Sequence, residues 1–305
     1  MMIDRYRDQV QLLVETLPYV ANQKMFALKG GTAINLFYRD LPRLSVDIDL
    51  FYLPVEDRET SLRRIDDAMD QITADINAAG RHYRAERIQG GDGNDTRVRV
   101  IAGDAQIKIE TSQGTRGTVL KPQKMQVSEA VQKEFGFADL QVVAFEDLYG
   151  GKLHAALDRQ HPRDLFDVKL LYENEGLTEE LFRIFMVYVA SSNRPMHELL
   201  SPNLVPLDQR FTDEFEGMTR EPVSQAELEE VRHRLHGDIK DRLNGDIAHF
   251  LLSLHDAEPD FDLIGLPQAA ALPAIRWKLL NLETLKRDNP GKHAEQRQAL
   301  EDTFE

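Results

Sequence analysis

The chain has 305 residues, 42% of them hydrophobic, enough for one large or two ordinary domains with buried cores. It contains no cysteine, which excludes disulfides, thiolate zinc centres and cysteine nucleophiles and suits a reducing cytoplasm. The formal net charge of −15 argues against a broadly polyanion-binding surface, although Arg81, Arg84, Arg87, Arg97, Arg99 and Lys108 lie close together in sequence and leave room for a local basic face.

The N-terminus mixes charges of both signs with apolar residues, unlike a signal peptide, and no uncharged apolar stretch approaches the roughly 18 residues of a membrane span. Residues 3–17 repeat Ile3, Val10, Leu13, Val14 and Leu17 near helical spacing, the pattern of a helix covering a sheet. Lys24 to Leu28 is a short apolar run ending at Gly30-Gly31, and Thr32 to Tyr38 resumes helical spacing, so the spacing predicts strand, glycine turn and helix. Val46 to Leu53 alternates acid and apolar residues as a strand does, which puts Asp47 and Asp49 on one face.

Residues 57–79 read as a further helix and Gly90 to Asp95 as a turn-rich loop. Arg97 to Ile101 and Gln106 to Thr111 then alternate on either side of Gly103-Asp104, which suits a hairpin. In the second run Lys108 and Glu110 face one way, Ile107 and Ile109 the other. From Phe145 the signals are helical: Glu146 to Arg159, Asp164 to Glu173 after Pro162, and several amphipathic segments beyond Gly176, one opened by a Ser224/Glu227 capping box.

Two carboxylates on one strand face, with Glu110 on a nearby strand as third, suit magnesium that also holds phosphates. In a two-metal site such groups clamp ions that activate the attacking oxygen and stabilise the leaving one. Acid-x-acid pairs are also common on solvated strands, and a bare Gly-Gly is often only a tight turn. Together, however, glycines between strand and helix bring backbone amides close to a phosphate, with the Thr32 hydroxyl as a candidate donor. His154 and His161 do not have the four-residue spacing of a same-helix zinc pair.

The order Gly-Gly-Thr then Arg-x-Ser-x-Asp-x-Asp, in LKGGTAINLFYRDLPRLSVDIDLFY, resembles the opening motif of the AbiEii/AbiGii abortive-infection toxin family. That family lies within the DNA polymerase β-like nucleotidyltransferase superfamily. The resemblance continues through IKIE at 107–110, through FEDLYGGKLHAALDRQHPRDLFDV at 145–168, and into WKLLNLETLKRDNPGKH at 277–293. It implies an α+β fold: a polymerase β-like nucleotidyltransferase core with a mixed sheet flanked by helices over 1–144, then a helical domain over 145–305 that completes the active site.

The resemblance further implies Asp47, Asp49 and Glu110 as metal and catalytic carboxylates for Mg2+, with Mn2+ as the alternative ion. Lys152 and Asp164 join them as catalytic residues. Gly30, Gly31, Thr32, Arg43, Ser45, Lys152 and Arg163 are the expected nucleotide-binding positions. Read by themselves, Lys152 is either a surface lysine or, where Gly150 and Gly151 leave room for close approach, a point-charge partner for a triphosphate; Asp164 and Asp167 share a face and suit a helix N-terminus; Arg43 reaches a phosphate or salt-bridges a neighbour, and Ser45 bonds a phosphate, is modified, or pairs with its own backbone. The implied activity is transfer of a nucleotide from a nucleoside triphosphate, and relatives of the MenT type point to a tRNA 3′ end as acceptor. The implied role is a cytoplasmic bacterial toxin of a toxin–antitoxin or phage-defence pair, with a cognate antitoxin as partner and no membrane. A protein or small-molecule acceptor, and a non-catalytic nucleotide- or antitoxin-binding protein, are the alternatives.

Overall fold

The computed structural model describes residues 2–89 and 96–305; the turn-rich segment Gly90 to Asp95 lies outside the described residues. The chain divides into two compact units, Met1–Ala144 with Gly217–Pro222, and Phe145–Glu216 with Val223–Glu305.

The first unit is built on a seven-stranded mixed sheet. Its strands are β1 (Phe26–Lys29), β2 (Asp47–Tyr52), β3 (Arg84–Gln89), β4 (Thr96–Ala102), β5 (Ala105–Arg116), β6 (Gln123–Gln126) and β7 (Asp139–Val142), in the order β3-β4-β5-β2-β1-β7-β6. β1 runs antiparallel to β2 and parallel to β7, and β2 runs parallel to β5. The predicted hairpin is β4 and β5, closed by Gly103 at φ +57°. β3, β6, β7 and the short helix α4 (Glu129–Phe135) have no counterpart in the sequence reading.

One face of the sheet is apolar because every second strand residue is: Ile48, Leu50, Val98, Val100, Ile107 and Ile109 are all buried. Helices α1 (Met2–Ala21) and α3 (Arg58–Ala78) pack against the sheet strands. α1 contributes Val10, Leu13, Val14 and Leu17 as its spacing predicts, and α3 contributes Ile65, Met69, Ile72 and Ile76. The Ile3 side chain lies outside the described residues. After β1 the chain makes one α-turn, α2 (Gly30–Ala33), and then a π-turn over Ile34–Tyr38, closed by Arg39 N–H donating to the Ile34 carbonyl. Gly217–Pro222 belongs here because it pairs with the segment leading to β2: Arg43 bridges Thr219, Leu44 N–H donates to the Met218 carbonyl and Arg220 N–H to that of Pro42.

The second unit is helical throughout its described residues, with α5 (Phe145–Arg159), α6 (Pro162–Asn174), α7 (Glu179–Ala190), α8 (Met196–Leu200), α9 (Asp208–Glu214), α10 (Gln225–Lys240), α11 (Gly245–His255), α12 (Pro273–Asp288) and α13 (Pro290–Glu301). Pro162 does not break a helix but opens one, at a position where the missing N–H costs nothing. The Ser224/Glu227 capping box forms in full. Lys278 on α12 is buried and donates to the Ser192 and Arg194 carbonyls just past α7, and its burial brings the ammonium down to about 8. His255 and His293 each donate an Nε2 hydrogen to the other's carbonyl at 3.0 Å, tying the end of α11 to the start of α13. No helix among the described residues is long and apolar enough to cross a membrane.

Candidate active site

The polar face of the sheet carries the carboxylates. Asp47 and Asp49 alternate with buried Ile48 on β2, and the parallel pairing with β5 makes Asp49 the Cα partner of Glu110 and Asp47 that of Lys108. Registered residues of adjacent strands share a face, so all three carboxylates project to one side. Glu110 is bonded to Arg97 on β4, Nε to Oε2 at 2.7 Å. Burial pushes the Glu110 carboxyl above its ordinary range, Arg97 pulls it back, and Asp49 and Asp47 add to the rise.

The glycine turn is fitted to that face. Gly30 has φ +73°, open to glycine at little cost, and a Cβ there would stand 2.5 Å from the Asp49 Oδ2. A Cβ on Gly31 would stand 2.6 Å from an Arg43 guanidinium nitrogen and 2.7 Å from the Ser45 hydroxyl. Both glycines are therefore required by side chains of the same motif, independently of any ligand. The Thr32 hydroxyl is fully buried, within hydrogen-bonding distance of the Asp47 carbonyl and 3.0 Å from the Ser45 hydroxyl, so it anchors the start of β2. Asn35 secures the turn from below: its Nδ2 donates to the Gly31 carbonyl and its Oδ1 accepts from the Arg43 N–H. Arg43 is itself buried and donates to the Leu44 carbonyl.

In the helical unit, Lys152 is a buried residue. Its ammonium lies 2.8 Å from Asp164 and 2.9 Å from Asp167, both nearly inaccessible, and Arg159 makes a second bond to Asp164 at 2.8 Å. Asp167, which the sequence did not single out as a site residue, is thus as closely tied to Lys152 as Asp164 is. Gly150 and Gly151 leave room for Tyr188 of α7, whose ring would lie 2.9 Å from a Cβ on Gly150 and whose hydroxyl donates to buried Asp147 at 2.9 Å. The turn into α6 is held by His161, whose Nδ1 accepts from Arg163 N–H and whose Nε2 donates to Glu214. Its neighbour Gln160 is in the left-handed region at φ 47°, fixed by bonds to Asn203, Val205 and Arg232. The Arg163 side chain is half-buried and makes no ion pair among the described residues.

The basic stretch is largely neutralised by ion pairing. Arg87 binds Asp66 and Asp70, Arg84 and Arg99 bind Glu86, and Arg97 binds Glu110, while Lys108 stays exposed.

Among the described residues no three His, Asp or Glu side chains converge tightly enough to form a preassembled metal site. The donor set nevertheless suits a hard divalent cation: acceptor-only carboxylate oxygens on one face, with Glu110 raised mainly by burial and further by Asp49 and Asp47, a repulsion such an ion would offset.

A mixed sheet bearing a glycine turn and an acidic pair is the architecture of a nucleotidyltransferase, and comparison with known proteins bears this out. The family model described as nucleotidyl transferase AbiEii toxin, type IV toxin–antitoxin system, matches residues 11–281, and the chain belongs to this family. Among solved structures, MenT4, a nucleotidyltransferase toxin from Mycobacterium tuberculosis H37Rv, shares the fold with a TM-score of 0.59 at 17% identity, over 90% of this chain and 92% of that one. No curated relative matches the sequence.

Proposed function

We propose that this toxin transfers a nucleotidyl group from a nucleoside triphosphate to the 3′ end of a tRNA in the bacterial cytoplasm, with Mg2+ as cofactor and Mn2+ as its substitute, and that it serves phage defence beside a cognate antitoxin. The observation that carries the reading is the register of Glu110 with Asp49 on the face that also bears Asp47. The acceptor hydroxyl oxygen attacks the α-phosphorus and a new P–O bond forms. The bond from that phosphorus to the α,β-bridging oxygen breaks, and pyrophosphate leaves with the electron pair. Glu110, its carboxyl raised by burial and then by the two aspartates, takes the hydroxyl proton. Gly30 and Gly31 offer backbone amides to the phosphates, Arg43 and Ser45 support that turn, and Thr32 holds Asp47 in place. When bound by Asp47, Asp49 and Glu110, the divalent ion supplies charge neutralisation at the phosphate oxygens. Lys152, with Asp164 as its orienting partner, and Arg163 serve the same reaction by countering charge that builds on the phosphates.

One observation favours a second acceptor class. Arg97 and Arg99, the β4 arginines on the carboxylate face, are ion-paired, so the face offers few free cations to a polyanion, which suits a protein or small-molecule hydroxyl. A single experiment separates the readings: purified protein is incubated with Mg2+, each α-labelled triphosphate, and total RNA or lysate. Label on tRNA supports the first reading, and label on protein or metabolite supports the second. No transfer under any condition overturns both, and transfer that survives Asp47→Ala with Asp49→Ala overturns the site assignment.

A further inference from the structure

β5 lies between β4 and β2 in the sheet, so Glu110 has a neighbour on each side: Arg97 is its Cα partner on β4 and Asp49 its Cα partner on β2. Adjacent strands are about 4.8 Å apart, a span a glutamate covers in either direction by rotating its side chain with the backbone fixed. In this structure the carboxylate pairs with Arg97, at 2.7 Å. That pair engages an oxygen a divalent cation would draw on, and among the described residues no metal site is preassembled.

We propose that Arg97 is an internal competitor of the divalent cation for Glu110. Without the ion the carboxylate rests on the guanidinium; with it, Glu110 crosses β5 toward Asp49, and the strength of the Arg97 pair sets how much cation the site requires. The inference rests on the proposed metal-binding role of Asp47, Asp49 and Glu110. Two effects act in the same direction. Binding the ion through Glu110 means giving up a partly exposed ion pair, with side-chain exposures of 36% and 26%. The guanidinium also places a like charge beside the incoming cation. A pair so exposed corresponds to roughly a two- to fivefold change in an equilibrium. The arrangement keeps the third carboxylate ordered and charge-balanced in the resting protein, and it makes full assembly of the site depend on the ion.

The test is Mn2+ binding to the full chain without nucleotide, followed by loss of the free-ion EPR signal. Arg97→Gln is expected to tighten binding about two- to fivefold, and the gain should shrink to less than half in a Glu110→Gln background, because the competition acts through that carboxylate. Unchanged or weaker binding by Arg97→Gln, or a gain undiminished in Glu110→Gln, overturns the inference while leaving the metal site standing. Wild-type binding that does not respond to Asp49→Asn overturns the metal site itself, and the inference falls with it. A crystal structure of the wild type with Mn2+ tests the same point without substitution. Glu110 should have left Arg97 by more than about 4 Å, and a carboxylate still on the guanidinium with the ion bound refutes the exchange.

Discussion

Gly30 packs against Asp49 so closely that any side chain at position 30 displaces the carboxylate: a Cβ there would stand 2.5 Å from Oδ2, and the backbone is at φ +73°. The glycine thus shapes the acidic pair from beneath as well as opening the backbone. Gly30→Ala is expected to lower nucleotide transfer on the order of 100-fold, since displacements of about 1 Å at a reacting centre have effects of that size. The left-handed backbone adds about 1–2 kcal/mol of destabilisation. Initial rates and a thermal melt on the same preparation separate the two, and a folded Gly30→Ala protein with wild-type rates refutes the role given to this contact.

Gly150 and Gly151 are adjacent on α5 but predict opposite outcomes. A methyl on Gly150 would meet the Tyr188 ring at 2.9 Å and press it off its bond to Asp147, whereas one on Gly151 would sit in ordinary contact at 3.5 Å. Gly150→Ala should destabilise by about 1–3 kcal/mol through overpacking. Gly151→Ala should stabilise by about 0.5–1 kcal/mol through helix propensity. Chemical denaturation of both variants reads the difference, and equal shifts of the same sign contradict the packing.

This contrast shows where the sequence stops being informative. Alternation of acid and apolar residues made β2 and β5 readable, and with them the shared face of Asp47, Asp49 and Glu110, because a half-buried strand writes its two faces into every second residue. β6, with the residues Gln-Lys-Met-Gln, is an edge strand with three exposed positions and so has no such signature. The space that Gly150-Gly151 leaves beside Lys152 is taken by Tyr188, far along the chain and without a local signal. Thr32, a candidate phosphate donor by position, has its hydroxyl against the Asp47 carbonyl, a contact set by tertiary packing alone. Asp167 seemed a first-turn acid of a helix, and only the packing of α5 against α6 brings it to Lys152.

The Lys152 cluster bears on how its mutants should be interpreted. Lys152 neutralises Asp164 and Asp167, and Arg159 is a second basic partner of Asp164. Lys152→Met therefore takes an ion-pair partner from the fully buried Asp167, and removal of one partner from a buried pair costs about 3–5 kcal/mol. Lys152→Met with Asp167→Asn should recover a good part of that stability without recovering transfer. A double variant as unstable as the single one, in urea unfolding, contradicts the pairing; a double variant with restored transfer contradicts a chemical role for Lys152.

Burial holds the imidazoles of His154, His161, His236 and His255 below their ordinary value near 6.5. A depressed folded-state value means that, between it and about 6.5, the unfolded chain binds protons the folded chain refuses. Stability is then undiminished above about pH 7 and declines as pH falls below about 6.5, by at most about 1.4 kcal/mol per pH unit for each imidazole, until the folded-state values are reached. His154 is the clearest contributor, since its Nε2 is buried without a hydrogen-bond partner. Unfolding free energies measured between pH 7.5 and 5 should show this decline, and His154→Gln should flatten it by close to one proton. A stability that is level or rising over that interval shows that these rings are protonated in the folded protein and refutes the assignment.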